Sequence, residues 1–237
     1  MNRIAVFALT LFVGCGRQPS ERPYDPEVVA ARPDANNPAG ENLEFPPGWK
    51  YRLDVADPNM VVGSDTATSD IWFVTMTPGW HVTTKRPRAI LYHPAITASG
   101  SFTASSKIHL MYPGDRNEAY GLFFGGNNLE SDAQSYLYFL IRRSGEFLVK
   151  RRLGDGTETL KDWTAHEVIV PYDNSTEVIA TNTLAVSVDE TSITYMVNDA
   201  VVHTMEKGDL NTDGIIGLRY NHGIDSHVET LDVVRAE

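Results

Sequence analysis

From Trp49 onward the chain runs in short stretches of Val, Ile, Thr, Tyr and Phe, interrupted every few residues by Gly, Asp, Asn or Pro. No stretch there repeats its apolar residues at helical spacing, so the pattern predicts strands joined by turns. We expect strands near 71–77, 80–84, 89–92, 101–112, 119–126, 134–142, 146–152, 165–170, 181–188, 192–197, 200–205, 214–220 and 226–234. A chain of 237 residues has room for one β-sandwich and a tail. The expected fold class is all-β, a single sandwich.

The hairpin Gln134 to Arg152 can be read to the level of register, because both strands must place their apolar residues on one face. A two-residue turn at Ser144 and Gly145 would set Phe139 against Lys150. A three-residue loop, Arg143 to Gly145 with a left-handed Gly145, instead pairs Ile141 with Phe147 and Phe139 with Val149. The opposite face then carries Gln134, Tyr136, Tyr138, Arg142, Glu146, Lys150 and Arg152. Rings beside cations suit sugars, acidic sugars above all; a solvated sheet face has the same composition.

Further on, Leu184 to Val188, Ile193 to Val197 and Val201 to Met205 form a meander with turns at Asp189 and Asn198. With the Asp213–Arg219 stretch DGIIGLR and a last strand from Ser226 to Val234, this resembles the C-terminal half of concanavalin A-like lectin and glucanase domains, the laminin G type being nearest. The stretches Ala119 to Gly126 (AYGLFFGG), Tyr136 to Arg152 and Gly217 to His227 (GLRYNHGIDSH) also resemble a group of uncharacterised bacterial exported lipoproteins with that fold. The resemblance covers most of residues 70–235. It implies a two-sheet antiparallel jelly-roll sandwich of the concanavalin A-like kind, with curved sheets and ligands on the concave face or its rim, and no particular activity.

The N-terminus has a basic Arg3, an apolar run from Ile4 to Val13 and then Cys15, the only cysteine. This is the layout of an export signal. Leu11 to Cys15 resembles the lipobox of bacterial lipoproteins, with Phe12 in place of the usual leucine, which implies acylation of Cys15. Two or more acyl chains hold a protein to a membrane durably. Residues 16–47 contain seven of the thirteen prolines and read as a tether with a reach of roughly 30 Å. The expected division is a signal peptide over 1–14, the lipidated cysteine and linker over 15–47, and the sandwich over 48–237. The expected location is the bacterial cell envelope, lipid-anchored, periplasmic or on the outer surface.

A mature domain without a second cysteine has no disulfide, no thiolate nucleophile and no cysteine-ligated metal. The formal charge of −11 and the absence of a basic stripe argue against nucleic acid as a partner. No run after residue 14 is apolar for long enough to span a bilayer.

Four groups of residues are candidates for a site. Asn221, His222, Asp225 and His227 fall between two expected strands, where a rim loop would sit, and suit a divalent metal, sugar hydroxyls or simply the loop's own turn. Asp209, Asn211, Asp213 and Gly214 match the opening of a calcium loop, although position twelve is Tyr220; a plain turn fits too, and calcium is the one cofactor left open. Tyr136, Tyr138, Arg142, Lys150 and Arg152 form the polar hairpin face. Trp72, Trp80 and Trp163 are sugar platforms or core, and Gly125 with Gly126 marks a close approach or a bulge.

The glucanases of the resembling superfamily carry Glu, any, Asp, any, any, Glu on one strand, and that run is missing here. Asp225 and Glu229 would lie roughly 13 Å apart on a strand, too far for a glycosidase pair. We therefore nominate no catalytic residue and expect a surface-tethered carbohydrate-binding lipoprotein whose partners are a glycan and, through the lipid, the membrane. A hydrolase or lyase using Asp225, His222 or His227 and an envelope protein-interaction module remain the alternatives.

Overall fold

A computed structural model describes residues 43–112, 116–176 and 178–235. The signal segment, Cys15 and almost all of the linker lie outside the described residues. Residues 43–47, expected to be linker, already belong to the domain. Phe45 packs edge-on against Phe73 with ring centroids 5.6 Å apart, and Glu44 accepts a backbone hydrogen bond from Thr75.

Sixteen strands make up the described residues: β1 (Lys50–Leu53), β2 (Val62–Gly63), β3 (Ile71–Thr75), β4 (Trp80–Thr84), β5 (Ala89–Ala98), β6 (Phe102–Tyr112), β7 (Ala119–Asn127), β8 (Ser135–Arg142), β9 (Glu146–Leu153), β10 (Gly156–Ala165), β11 (Ala180–Val188), β12 (Ser192–Val197), β13 (Ala200–Glu206), β14 (Gly214–Tyr220), β15 (Ile224–Val228) and β16 (Asp232–Arg235). Sheet I runs β1-β5-β14-β7-β8-β9-β10. Sheet II runs β13-β12-β11-β6-β15-β4-β3-β2, with β16 also on β6. All pairings are antiparallel except the short β2–β3 pair. The fold is the two-sheet jelly-roll sandwich of the concanavalin A-like class.

Alternation along the strands decides what lies between the sheets. Strand β11 reads buried at every second residue, with Leu184, Val186 and Val188 inward, and faces Leu122, Phe139 and Leu218 of sheet I in the main core. The β8–β9 hairpin has the expected register, Ile141 opposite Phe147 and Phe139 opposite Val149, and Gly145 has φ 84°. Gly125, φ 64°, stands where a bulge shifts β7 against β8, and a Cβ there would lie 2.5 Å from the Asn211 carbonyl oxygen. Backbone, therefore, explains that glycine.

The strand expectations need correction: β1 and β2 are not among them, and β5 runs on from the expected 89–92 to Ala98. Residues 156–165 form β10, unrecognised because an edge strand reading GTETLKDWTA buries little and shows no apolar alternation. Of the strand expected over 165–170, Ala165 ends β10 and residues 166–170 are irregular. Asn182, fully buried in β11, accepts from the Val170 N–H and donates to the Val170 carbonyl, both at 2.9 Å, so a side-chain amide does what a neighbouring strand would do. The expected strand 226–234 is two strands, β15 and β16, that share one side of β6. Between them Ser106 and the Lys107 N–H bond Thr230.

Candidate functional site

The outer face of sheet I is not a bare polar surface. Tyr136 and Tyr138 are 3% and 5% exposed and pack with Ile90, Tyr92, Phe123 and Leu140 into a second apolar cluster. Their rings are thus covered, not presented as stacking platforms, because Leu140 and Leu148 share the face and neighbouring apolar groups close over it. Burial pushes the Tyr138 phenol up to about 12, against the opposing charge of Arg219. Arg142 makes a two-point ion pair with Glu146 and lies 4.2 Å from the Trp163 ring, so Trp163 packs on this cluster rather than standing clear. Lys150 is half-buried opposite Tyr138.

At one end of this face the cluster gives way to charge. Arg219, on central strand β14, is 4% exposed; its Nη2 donates to Asp54 Oδ2 at 2.5 Å and its guanidinium lies 5.6 Å from the Tyr138 ring. Burial disfavours this cation, but Tyr136, Asp54 and Tyr138 outweigh it and hold its pKa above the ordinary range. Arg152, 6% exposed, donates to the carbonyls of Gly154 (2.8 Å) and Asp54 (3.3 Å). Arg219 Nε and Nη1 are buried with no hydrogen-bond partner.

Asp54 and Arg152 line an open cleft of about 760 Å³, together with Asp57, Met60, Arg86, Arg88, Asp155 and His222. The hairpin face and the 221–223 rim, separate candidates in the sequence, meet here through Arg152 and His222. His222 Nε2 is 2.6 Å from Glu118 Oε1 and 2.8 Å from Arg116 Nη1. One nitrogen serves one partner at a time: protonated it donates to Glu118, unprotonated it accepts from Arg116. Burial alone would raise the Glu118 pKa, but His222, Arg88 and Asn221 together hold it below its ordinary value.

The other members of the expected rim group are elsewhere. The chain leaves sheet I after Tyr220 and enters sheet II at Ile224, so Asn221 to Gly223 is the crossover and Asp225 and His227 lie on β15. Asp225 Oδ1 accepts from His81 Nε2 at 2.7 Å and Thr83 Oγ1 at 3.0 Å. His227 stands 5.7 Å from the His109 ring, and His109 bonds Glu229. Asp225 and His227 thus form no joint site with His222. Asn221 takes part through its backbone, accepting from Thr84 Oγ1 and donating to Ala119, and through its side chain, which bonds Glu118.

Two oxygens of the expected calcium loop are engaged within the protein. Asn211 Oδ1 accepts from the Asp213 N–H, and Asp213 Oδ1 accepts from the Gly100 N–H. Asp209 precedes them in the turn closed by Leu210 on Lys207. Among the described residues no group of three His, Cys, Asp or Glu is placed to hold a metal ion. Trp72 donates to the Ser64 carbonyl, and Trp80 packs on Trp49 with centroids 4.8 Å apart.

Arg219, Asp54, Arg86, Arg88 and Glu118 were not singled out from the sequence. Arg219 alone carries a signal, a cation between Leu218 and Tyr220 in an otherwise apolar strand.

The sandwich is shared with solved carbohydrate-binding and glucanase structures. Solved structures of similar fold include the carbohydrate-binding module CBM66 from Bacillus subtilis, 11% identical with a TM-score of 0.53 over 78% of this chain and 94% of that one. A galectin-like protein of unknown function from Bacillus subtilis is 10% identical, TM-score 0.55, over 79% of this chain and 89% of that one. A Bacteroides ovatus glycoside hydrolase family 16 enzyme, determined with its G4G4G3G product, is 11% identical, TM-score 0.54, over 81% of this chain and 97% of that one. No protein-family model and no curated protein matches the sequence. At these identities the likeness is one of fold.

Proposed function

We propose that this chain is a glycan-binding domain of the bacterial cell envelope, tethered through a lipid on Cys15, and that it binds its ligand in the cleft between Arg152 and His222. The cleft carries the proposal. It sets guanidinium donors of Arg86, Arg88 and Arg152 beside carboxylate acceptors of Asp54 and Asp155 in one recess, and sugar hydroxyls, which donate and accept, need both. The carbohydrate-binding and glucanase domains that share the fold support the same reading.

The test is a glycan array probed with the full chain in detergent. Binding to at least one glycan is expected, weakened together by His222→Ala and Arg152→Gln because both side chains line one recess, and unchanged by Lys161→Ala on β10. Circular dichroism checks that the variants fold. An array without binding, or binding indifferent to both cleft substitutions, would refute the proposal; release of shortened product would make the domain a hydrolase or lyase. Incorporation of a labelled fatty acid, abolished in Cys15→Ser, tests the tether separately.

A further inference from the structure

Resting on that reading, we propose that the cleft selects glycans bearing carboxylates, that is, uronate-containing chains, and that Arg152, Arg88 and Arg86 receive the acid group. The reason lies in how the charges are distributed. Two buried guanidiniums, Arg152 in the cleft lining and Arg219 behind it, share the carboxylate of Asp54, which lies 2.5 Å from Arg219 Nη2 and 4.0 Å from Arg152 Nη1. A buried cation is costly unless it is paired, yet Arg219 keeps two guanidinium nitrogens without a hydrogen-bond partner. One of the two positive charges is left without its own counter-ion.

The walls are balanced in number, Arg86 and Arg88 against Asp57 and Asp155, so the excess comes from the pair that shares Asp54. Arg86 and Arg88 are exposed on either side of Pro87 and line the recess. Of the acidic groups facing them, Asp54 is held by Arg219, Asp57 accepts twice from Asn59, and Glu118 is held by His222. Asp155, on the turn after Arg152, is the remaining one. A planar carboxylate matches the guanidinium fork in a way that a hydroxyl does not. A uronate therefore gains two-point bonds here that a neutral sugar of the same shape lacks. The recess is also wide enough for a sugar ring rather than a bare ion.

The experiment measures binding of oligogalacturonate, oligoalginate and oligoglucuronate to the full chain in detergent by calorimetry, each beside its carboxyl-reduced form, with a neutral glycan array in parallel. At least one acidic oligomer is expected to bind tenfold or more tighter than its reduced form, which is about 1.4 kcal/mol. The preference should shrink in Arg88→Gln, an exposed position whose loss leaves the fold intact, and in Arg152→Lys. Equal binding of an acidic oligomer and its reduced form would overturn acid selectivity and leave glycan binding standing, as would binding to neutral glycans alone. An acid preference untouched by both substitutions would also overturn the assignment to this cleft. Binding to neither class removes both readings.

Discussion

Arg219 and Asp54 stand 165 positions apart in the chain and meet through Nη2 and Oδ2 at 2.5 Å. The contact ties a central strand of sheet I to the loop after its edge strand β1. Asp54→Ala leaves a buried guanidinium with no carboxylate partner and should lower unfolding free energy by about 3 kcal/mol. Adding Arg219→Met should recover most of that, since the cost belongs to the orphaned charge. Urea denaturation of both variants decides it; a double variant no more stable than the single would show that the pair contributes net attraction.

Asn182 stands in for a strand beside Val170. Asn182→Ala strands the Val170 N–H and carbonyl, whose bonds to Asn182 are part-buried, and also removes the oxygen to which Asn198 donates at 3.0 Å. We expect a loss of about 3 kcal/mol, with faster amide exchange at Val170 than in the neighbouring strand β11. Unchanged exchange at Val170 would mean that the segment is held by packing of Ile169 alone.

The Glu118 and His222 pair gives stability an acid limb. The Glu118 carboxyl sits below its ordinary value of 4.5 in the folded chain. Its contribution is therefore complete above 4.5 and disappears as pH falls through the lower, folded value. Thermal midpoints measured from neutral pH down through this range should fall less steeply in Glu118→Gln than in the wild-type chain. Parallel curves would place the acid sensitivity elsewhere.

Tyr138, pushed up to about 12 by burial, should remain a neutral phenol at a pH where an exposed tyrosine has ionised. In an ultraviolet titration Tyr138→Phe should lose no absorbance change between about pH 9 and 11. A loss in that interval would mean that the ring opens to solvent and is available for stacking after all.

Much of this fold is legible because alternation is a strong signal wherever one face is buried. The β8–β9 register follows from Phe139, Ile141, Phe147 and Val149 alone. Three of its failures have a physical reason. Strand β10 is a polar edge; the 166–170 segment satisfies its backbone with an asparagine instead of a strand; and the outer face of sheet I buries Tyr136 and Tyr138 beneath groups distant in sequence. The candidate cleft is legible only in pieces. Arg152 and His222 stand out by type, but nothing local shows that β9 and the crossover after β14 border one recess, and Asp54 follows a four-residue edge strand that itself leaves little trace.

Strand β14 points Leu218 and Tyr220 into the core and Arg219 out of it, so one short piece of backbone serves both. The two roles are mechanically coupled: no substitution can re-aim the guanidinium by shifting that strand without disturbing the packing behind it. Any retuning of selectivity falls instead to the 54–60 and 86–88 segments, which border the recess without building the core. Grafting new chemistry onto this scaffold is therefore a matter of rewriting two loops around the Asp54 carboxylate that Arg219 holds from behind.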